Sequence, residues 1–350
     1  MAFTTVNKST DYFNTKLYTG NGSTNAITGV GFQPDWVWCK DRSAGNNNIV
    51  HDAVRGVNYQ VYTDLTNAQT NASGFLTAFG TDGFTLGSDG AINASGNNYA
   101  SWNWKAGTTS GINQDSASIT PSAYSFNQAA GFSIIKYTGT GSTATLPHGL
   151  GVTPNLILIK KLSGADNWTW KSDGGISGYT GFTKYMYLNN AGVGVATDSS
   201  NEFQYNPTAT KFSLGTNGGV NGSGATYVAY CFANKVGYSR VGGYIGNGNA
   251  SGAFVNTGFR PKFVLTHRLD SGDAYTIMDT ARDTFNIAKK RLFPHQSNAE
   301  NTSLDVMDML SNGFKFRTTD AAFNDTGGVY VYLAFGQSLV GTNNIPATAR

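Results

Sequence analysis

One unit is written three times along this chain, and any fold assigned to it must account for that repetition first. Each copy opens on a tyrosine and a glycine turn: "YTGNGS" from Tyr18, "YTGTGS" from Tyr137 and "YIGNGN" from Tyr244. A proline-marked passage follows, "GFQPDWVWCKDRS" at 31–43, "GLGVTPNLILIKKLS" at 149–163 and "GFRPKFVLTHRLD" at 258–270, each an apolar run that closes on basic residues. Later come "DGFTLG" from Asp82, "TKFSLG" from Thr210 and "NGFKFR" from Asn312, and each copy ends on an aromatic stretch, "YASWNW" from Tyr99, "YVAYCF" from Tyr227 and "YVYLAF" from Tyr330. The opening tyrosines are 119 and 107 residues apart, the length of a domain and too long for one turn of a solenoid.

The closing stretch alternates Tyr99, Ser101 and Asn103 with Ala100, Trp102 and Trp104, the period of a β-strand. In the proline-marked strand, Trp36 and Trp38 share a face, as do Leu156 and Leu158, or Phe263 and Leu265. Positions where Trp, Leu and Phe exchange read as core rather than as a sugar-stacking platform. Glycine and proline together mark a strand entry, one by permitting unusual backbone angles, the other by being unable to donate into a ladder. Many short strands with frequent turn signals and little helix predict an all-β chain of three tandem antiparallel β-sandwich domains, jelly-roll-like, with a barrel as the less favoured closure. The spacing places the domains at 18–106, 131–235 and 236–337, with arms at 1–17 and 338–350. The Ser/Thr/Ala-rich stretch 107–130 reads as a linker. One stretch, 298–312, carries Leu304, Met307 and Leu310 at helical spacing and predicts a short helix.

Composition narrows the function classes. Only 13% of the residues are charged, 44 are glycine, and 21 Phe, 18 Tyr and 6 Trp are spread between turns. Such dilution disfavours long helices, while the aromatic content argues against disorder. A net charge of +3 with no basic run gives no footprint for a nucleic-acid backbone. The N-terminus lacks the pattern of a secretory signal, and no segment reaches the roughly 18 apolar residues of a membrane span, so the expectation is synthesis in the cytoplasm with no span. Cys39 and Cys231 stand at non-equivalent places in different copies and are expected as two buried, unpaired thiols.

Few residues nominate chemistry. His51, His148, His267 and His295 are scattered, without metal-ligand spacing, so no metal and no cofactor is expected. "HDAVRG" at 51–56 is echoed by "MDTARD" at 278–283, so that Asp52 and Arg55 correspond to Asp279 and Arg282. Asp52 with His51 could act as an acid–base pair, but recurrence in tandem copies favours a structural carboxylate–guanidinium pair that fixes a loop. The second copy reads "NWTWKSDGG" here and lacks the pair. No two acidic residues stand out as a glycosidase pair. The glycine turns lack the lysine and helix of a phosphate loop and read as hairpin turns. The segment 167–190 of the second copy differs most from its counterparts, and its Trp168, Trp170, Tyr179, Tyr185 and Tyr187 are candidates for a glycan- or receptor-binding surface, with core filling as the competing reading.

"STDYFNTKLYTGNGSTNAITGVGFQPDWVWCKDRS", "TDGFTLGSDG", "YASWNWKAG", "AGFSIIKYTGTGS" and the ending "LAFGQSLVGTNNIPATAR" together resemble a tandem-domain family of tailed phages of marine bacteria and cyanobacteria. The resemblance runs along nearly the whole chain, is strongest in the first copy, and is weakest in the second. It implies a virion structural protein, tail-fibre-like or on the particle surface, with no catalytic residues to carry over. The partners it implies are further copies of the chain, as a homo-oligomer such as a trimer, other virion proteins held through the terminal arms, and a host-surface glycan. The competing classes are a glycan-degrading tail enzyme, which needs acids clustered in a cleft, and a stand-alone carbohydrate-binding module.

Overall fold

The structure, a computed structural model, describes residues 4–176, 184–191, 196–197, 202–203, 206–338 and 340. The first unit runs β1 (Phe13–Thr19), β2 (Asn25–Thr28), β3 (Trp36–Asp41), β4 (Ile49–Asp52), β5 (Tyr59–Tyr62), β6 (Thr70–Asn71), β7 (Leu76–Gly80), β8 (Gly83–Leu86), α1 (Gly90–Asn93) and β9 (Asn98–Trp104). The second runs β10 (Ala123–Asn127), β11 (Phe132–Thr138), β12 (Ala144–Pro147), β13 (Leu156–Lys161), β14 (Thr169–Ser172), β15 (Lys184–Tyr187), β16 (Ala196–Thr197), β17 (Lys211–Leu214), α2 (Gly218–Asn221) and β18 (Thr226–Phe232). The third runs β19 (Ser239–Ile245), β20 (Phe254–Asn256), β21 (Phe259–Arg268), β22 (Thr276–Asp279), β23 (Met307–Leu310), β24 (Gly313–Phe316), α3 (Ala321–Asn324) and β25 (Val329–Ser338).

The chain is all-β with a sandwich-like build, and the three units share one topology. Large antiparallel sheets run β1-β9-β3-β4-β5-β6, β10-β11-β18-β13-β14-β15-β16 and β19-β25-β21-β22, and small sheets run β2-β8-β7, β12-β17 and β20-β24-β23. The opening strand of each unit therefore pairs with its closing strand, with Tyr18 opposite Tyr99, Tyr137 opposite Tyr227 and Tyr244 opposite Tyr330. The glycine turns do not make hairpins: they carry the chain from the large sheet to the small one.

Each large sheet is buried on both faces, which is why β3 has no exposed residue in its six. Along β3, Val37 and Cys39 point into a core closed by the unit's own small sheet, with Ile27, Phe84 and Leu86. Trp36 and Trp38 point the other way, into a second core built by all three units together. At its centre three equivalent residues meet, Trp104, Phe232 and Phe335, with ring centroids 5.4–6.4 Å apart. Trp36 reaches Phe132 and Tyr230 of the second unit at 5.8 and 5.0 Å, and Trp104 reaches Phe263 of the third at 5.7 Å. Burying a phenylalanine is worth about 1.5–3 kcal/mol, so this shared core joins the units by far more than their connectors do. The inward-facing residues expected from the sequence are buried, but Trp36, Trp38, Leu156, Leu158, Phe263 and Leu265 all face the shared core and not their own sandwich.

Several sequence expectations are revised. The stretch 107–130 is more than a linker: β10 adds an edge strand to the second sheet, and Ile112 and Ile119 are buried in that unit's core. Residues 4–17 are not a free arm. Val6 is buried in the shared core, the amide and hydroxyl of Ser9 both donate to Gln337 Oε1 at 3.0 and 2.9 Å, and β1 begins at Phe13. The chain's own third unit thus holds its beginning, with no second subunit needed. Ser338 closes β25, Val340 is exposed, and the remainder of the expected C-terminal arm lies outside the described residues. The helix expected within 298–312 is instead the hairpin β23–β24. Met307 and Met309 alternate inward along a strand paired with β24, a burial that local helical spacing could not compete with.

Candidate functional site

The repeated motifs assemble where the units lock themselves and one another. Within each unit the paired tyrosines stack, with centroids 5.1, 5.1 and 4.7 Å apart. The opening tyrosine donates to the last turn of the short helix: Tyr18 to the Ile92 carbonyl at 2.9 Å, Tyr137 to Val220 at 2.6 Å and Tyr244 to Phe323 at 2.9 Å. The closing tyrosine donates to the helix start, at Gly90, Gly218 and Ala321. Each helix is capped by a side chain, from Asp89, Asn217 or Asp320, and ends on a buried asparagine, Asn93, Asn221 or Asn324.

That asparagine grips the glycine turn. Its Oδ1 accepts the amide of Asn21, Thr140 or Asn247 at 2.8–3.0 Å, and its Nδ2 donates to carbonyls on both sides. The invariant glycine of the turn, Gly20, Gly139 or Gly246, is required because a Cβ there would collide with a backbone carbonyl after the helix. The signal was present in the sequence as "DGAIN", "NGGVN" and "DAAFN", a capping residue followed four positions on by asparagine.

Between units, the recurring Asp/Arg pair is the anchor point. Asp52 accepts the Arg55 amide at 2.8 Å and pairs with its Nε; both side chains are fully buried, and Arg55 Nη2 donates to the Val50 carbonyl at 3.0 Å. The third partner comes from another unit: the Tyr230 hydroxyl donates to Asp52 Oδ2 at 2.6 Å. The copy at Asp279 repeats this, with Arg282 Nε at 2.5 Å and Trp102 Nε1 of the first unit donating at 3.0 Å. Trp102, Tyr230 and Leu333 occupy equivalent places in the closing strands. The unit that lacks the carboxylate has Ser172 at its position, and the remaining closing strand supplies Leu333, which has nothing to donate. Carboxylate and donor are kept together and lost together, as a buried charge demands.

The basic end of the proline-marked strand serves the same junctions. Lys40 Nζ crosses to the Ser297 carbonyl of the third unit at 2.7 Å, and Lys160 Nζ crosses to the Thr66 carbonyl of the first at 2.8 Å. Burial pushes both ammonium groups down to about 8. Arg42 and Glu300 add a two-pronged pair at 2.9 and 2.8 Å between the first and third units, held further by Arg282 Nη1 at 3.1 Å. The third copy of the lysine position is His267, stacked on Tyr275 of its own unit at 3.7 Å.

The acid–base reading of His51 with Asp52 does not hold. Adjacent strand residues point to opposite faces, so His51 lies in its unit's core, 6.1 Å from Phe75, while Asp52 faces the shared core. Burial, with the Arg55 charge, pushes the imidazole down to about 3. Of the glycan candidates, Trp168 and Trp170 are fully buried and offer no ring face to a sugar. Trp168 Nε1 donates across the junction to the Tyr62 carbonyl at 2.7 Å, and Trp170 Nε1 donates to Ser172 Oγ at 2.8 Å beside Tyr275 of the third unit. Both rings fill the shared core, as Val50 and Ile277 do at the places equivalent to Trp170. Tyr185 is buried, Tyr187 is half-buried against it at 5.4 Å, and Tyr179 lies outside the described residues. Among the described residues no group of three metal-ligating side chains comes together, and no helix is long and apolar enough to cross a membrane.

Comparison with curated proteins and with solved structures gives no match. A family model spans residues 8–338, from the segment that grips Gln337 to the last residue of β25, and so takes in all three units together. On that extent the chain belongs to the family described as Domain of unknown function (DUF7483).

Proposed function

We propose that the chain is a structural protein of a bacteriophage particle, tail-fibre-like or on the capsid surface, that assembles with further copies of itself and presents its rim loops to the host surface. It is made in the host cytoplasm and acts by shape and rigidity, without turnover, cofactor or nucleic acid. The observation that supports this best is the shared aromatic core, closed by buried carboxylate–guanidinium pairs that each reach into a neighbouring unit. Both faces of every large sheet are consumed by packing, so the body is stiff, and only edges and loops are left to meet partners. Residues 4–17 are occupied within the chain, so contacts with other virion proteins fall to the loops and to the C-terminal segment 338–350.

Quantitative mass spectrometry of purified particles tests the reading. Finding the chain at structural copy number supports it, whereas finding it only in the host lysate overturns it. Light scattering on the purified chain tests the assembly, and a stable monomer of 37.2 kDa would remove the homo-oligomer from the proposal.

A further inference from the structure

The second and third units leave a cleft of about 400 Å³ between them, within the range of small-molecule pockets. One wall is the glycine-rich edge strand β19, whose Gly243 packs against Ile176 of the second unit. Its charged lining is two cations set against one carboxylate, Asp173. Lys235 and Arg240 both line it, and neither has an ion-pair partner among the described residues. Asn155 uses its Oδ1 to accept the Asn234 amide at 2.9 Å, while its Nδ2 has no partner among the described residues.

Tyr332 supplies the most telling group. The residue is 2% exposed, its hydroxyl lies over Gly242 at the cleft wall, and that hydroxyl makes no hydrogen bond among the described residues. The equivalent positions in the other closing strands are Ser101 and Ala229, so the phenol and the glycine opposite it belong to this junction alone. Four unengaged donors, two of them cationic against the single carboxylate of Asp173, call for an oxygen-rich anion.

We propose that this cleft binds a small anionic sugar, its carboxylate, sulfate or phosphate on Lys235 and Arg240 and its hydroxyls on Asn155 and Tyr332. The site stands whether or not the chain is a virion component. Isothermal titration of the full chain with glucuronate, glucose and inorganic phosphate tests it. Glucuronate should bind, glucose at least about tenfold more weakly for want of the charge-assisted bonds, and phosphate more weakly than glucuronate for want of the hydroxyl contacts. Arg240→Ala, at an exposed position, should cost glucuronate about tenfold in affinity, and Tyr332→Phe, which keeps the ring, a few-fold. Equal binding of glucuronate and glucose, no binding of glucuronate, or an unchanged affinity in Arg240→Ala overturns the proposal. Phosphate binding as tightly as glucuronate would reduce the site to a simple anion site and overturn its sugar component.

Discussion

Tyr230→Phe removes one oxygen from a junction and leaves every ring contact in place. The lost bond is a hydroxyl donated at 2.6 Å to the buried carboxylate of Asp52, which keeps Arg55 as its remaining partner. A buried hydrogen bond to a charged group is worth about 1.5–3 kcal/mol, so a loss of about 2 kcal/mol is expected. How that loss appears depends on whether the units melt together. With about 2.1 cal/mol/K of unfolding entropy per residue, the 350-residue chain melting as one body has about 0.7 kcal/mol/K, and the midpoint falls by only ~3 °C. A unit of about a hundred residues melting alone would fall by roughly 9 °C while the others stayed put. Because Trp104, Phe232 and Phe335 close one core, scanning calorimetry should show a single transition, displaced as a whole by the smaller amount. Resolved transitions of which one alone moves would refute the shared core as the source of cooperativity. A double-mutant cycle with Asp52→Asn should give a coupling above about 1 kcal/mol, and strict additivity would refute the contact.

Stability should fall on acidification from pH 7.5 to 5. Burial holds His51 and His267 down to about 3 and His148 and His295 down to about 4, so below pH ~6.5 the unfolded chain takes up protons that the folded chain refuses. Each such histidine contributes a slope of about 1.4 kcal/mol per pH unit. Asp35 and Asp64, raised by burial to about 6, hold protons in the folded state below that pH and offset part of the loss. Calorimetry across this range checks the sign, and a midpoint that rises toward pH 5 would contradict it. Asn324→Ala strips the bonds that tie α3 to the third glycine turn, at 2.8–3.0 Å, and should cost about 2–4 kcal/mol in chemical denaturation; a loss below 1 kcal/mol would deny the lock its role. Cys39 and Cys231 are free and buried, with burial pushing both thiols up to about 12. A thiol reagent should therefore find neither in the native chain and both in guanidinium, and rapid native labelling would be the contrary result.

Much of this architecture is written locally. The alternation of "YASWNW" requires a strand with two unlike faces, the threefold recurrence requires three copies of one topology, and the pairing of "HDAVRG" with "MDTARD" marks a structural ion pair. These features follow from periodicity and turn chemistry within a few residues. The destination of each buried face is a different matter, since Trp36 reads as core whether its neighbours come from its own copy or from the next. So too with Trp168 and Trp170, whose aromatic cluster looks the same in sequence when it fills a junction as when it coats a surface. Local spacing even misled at Met307 and Leu310, where pairing with β24 outweighs any helical preference.

The amino-acid order by itself determined the recurring strands, their alternating faces and the number of copies, because each depends on neighbours along the chain, while it misplaced the glycine turns as hairpins and missed β10 and β23. Only the tertiary structure decided that the copies close on one another, that Tyr230 and Trp102 satisfy carboxylates more than a hundred residues away, and that the last junction keeps an open, donor-lined cleft. Those outcomes rest on desolvation of charge and on ring packing between distant segments, which no local pattern encodes.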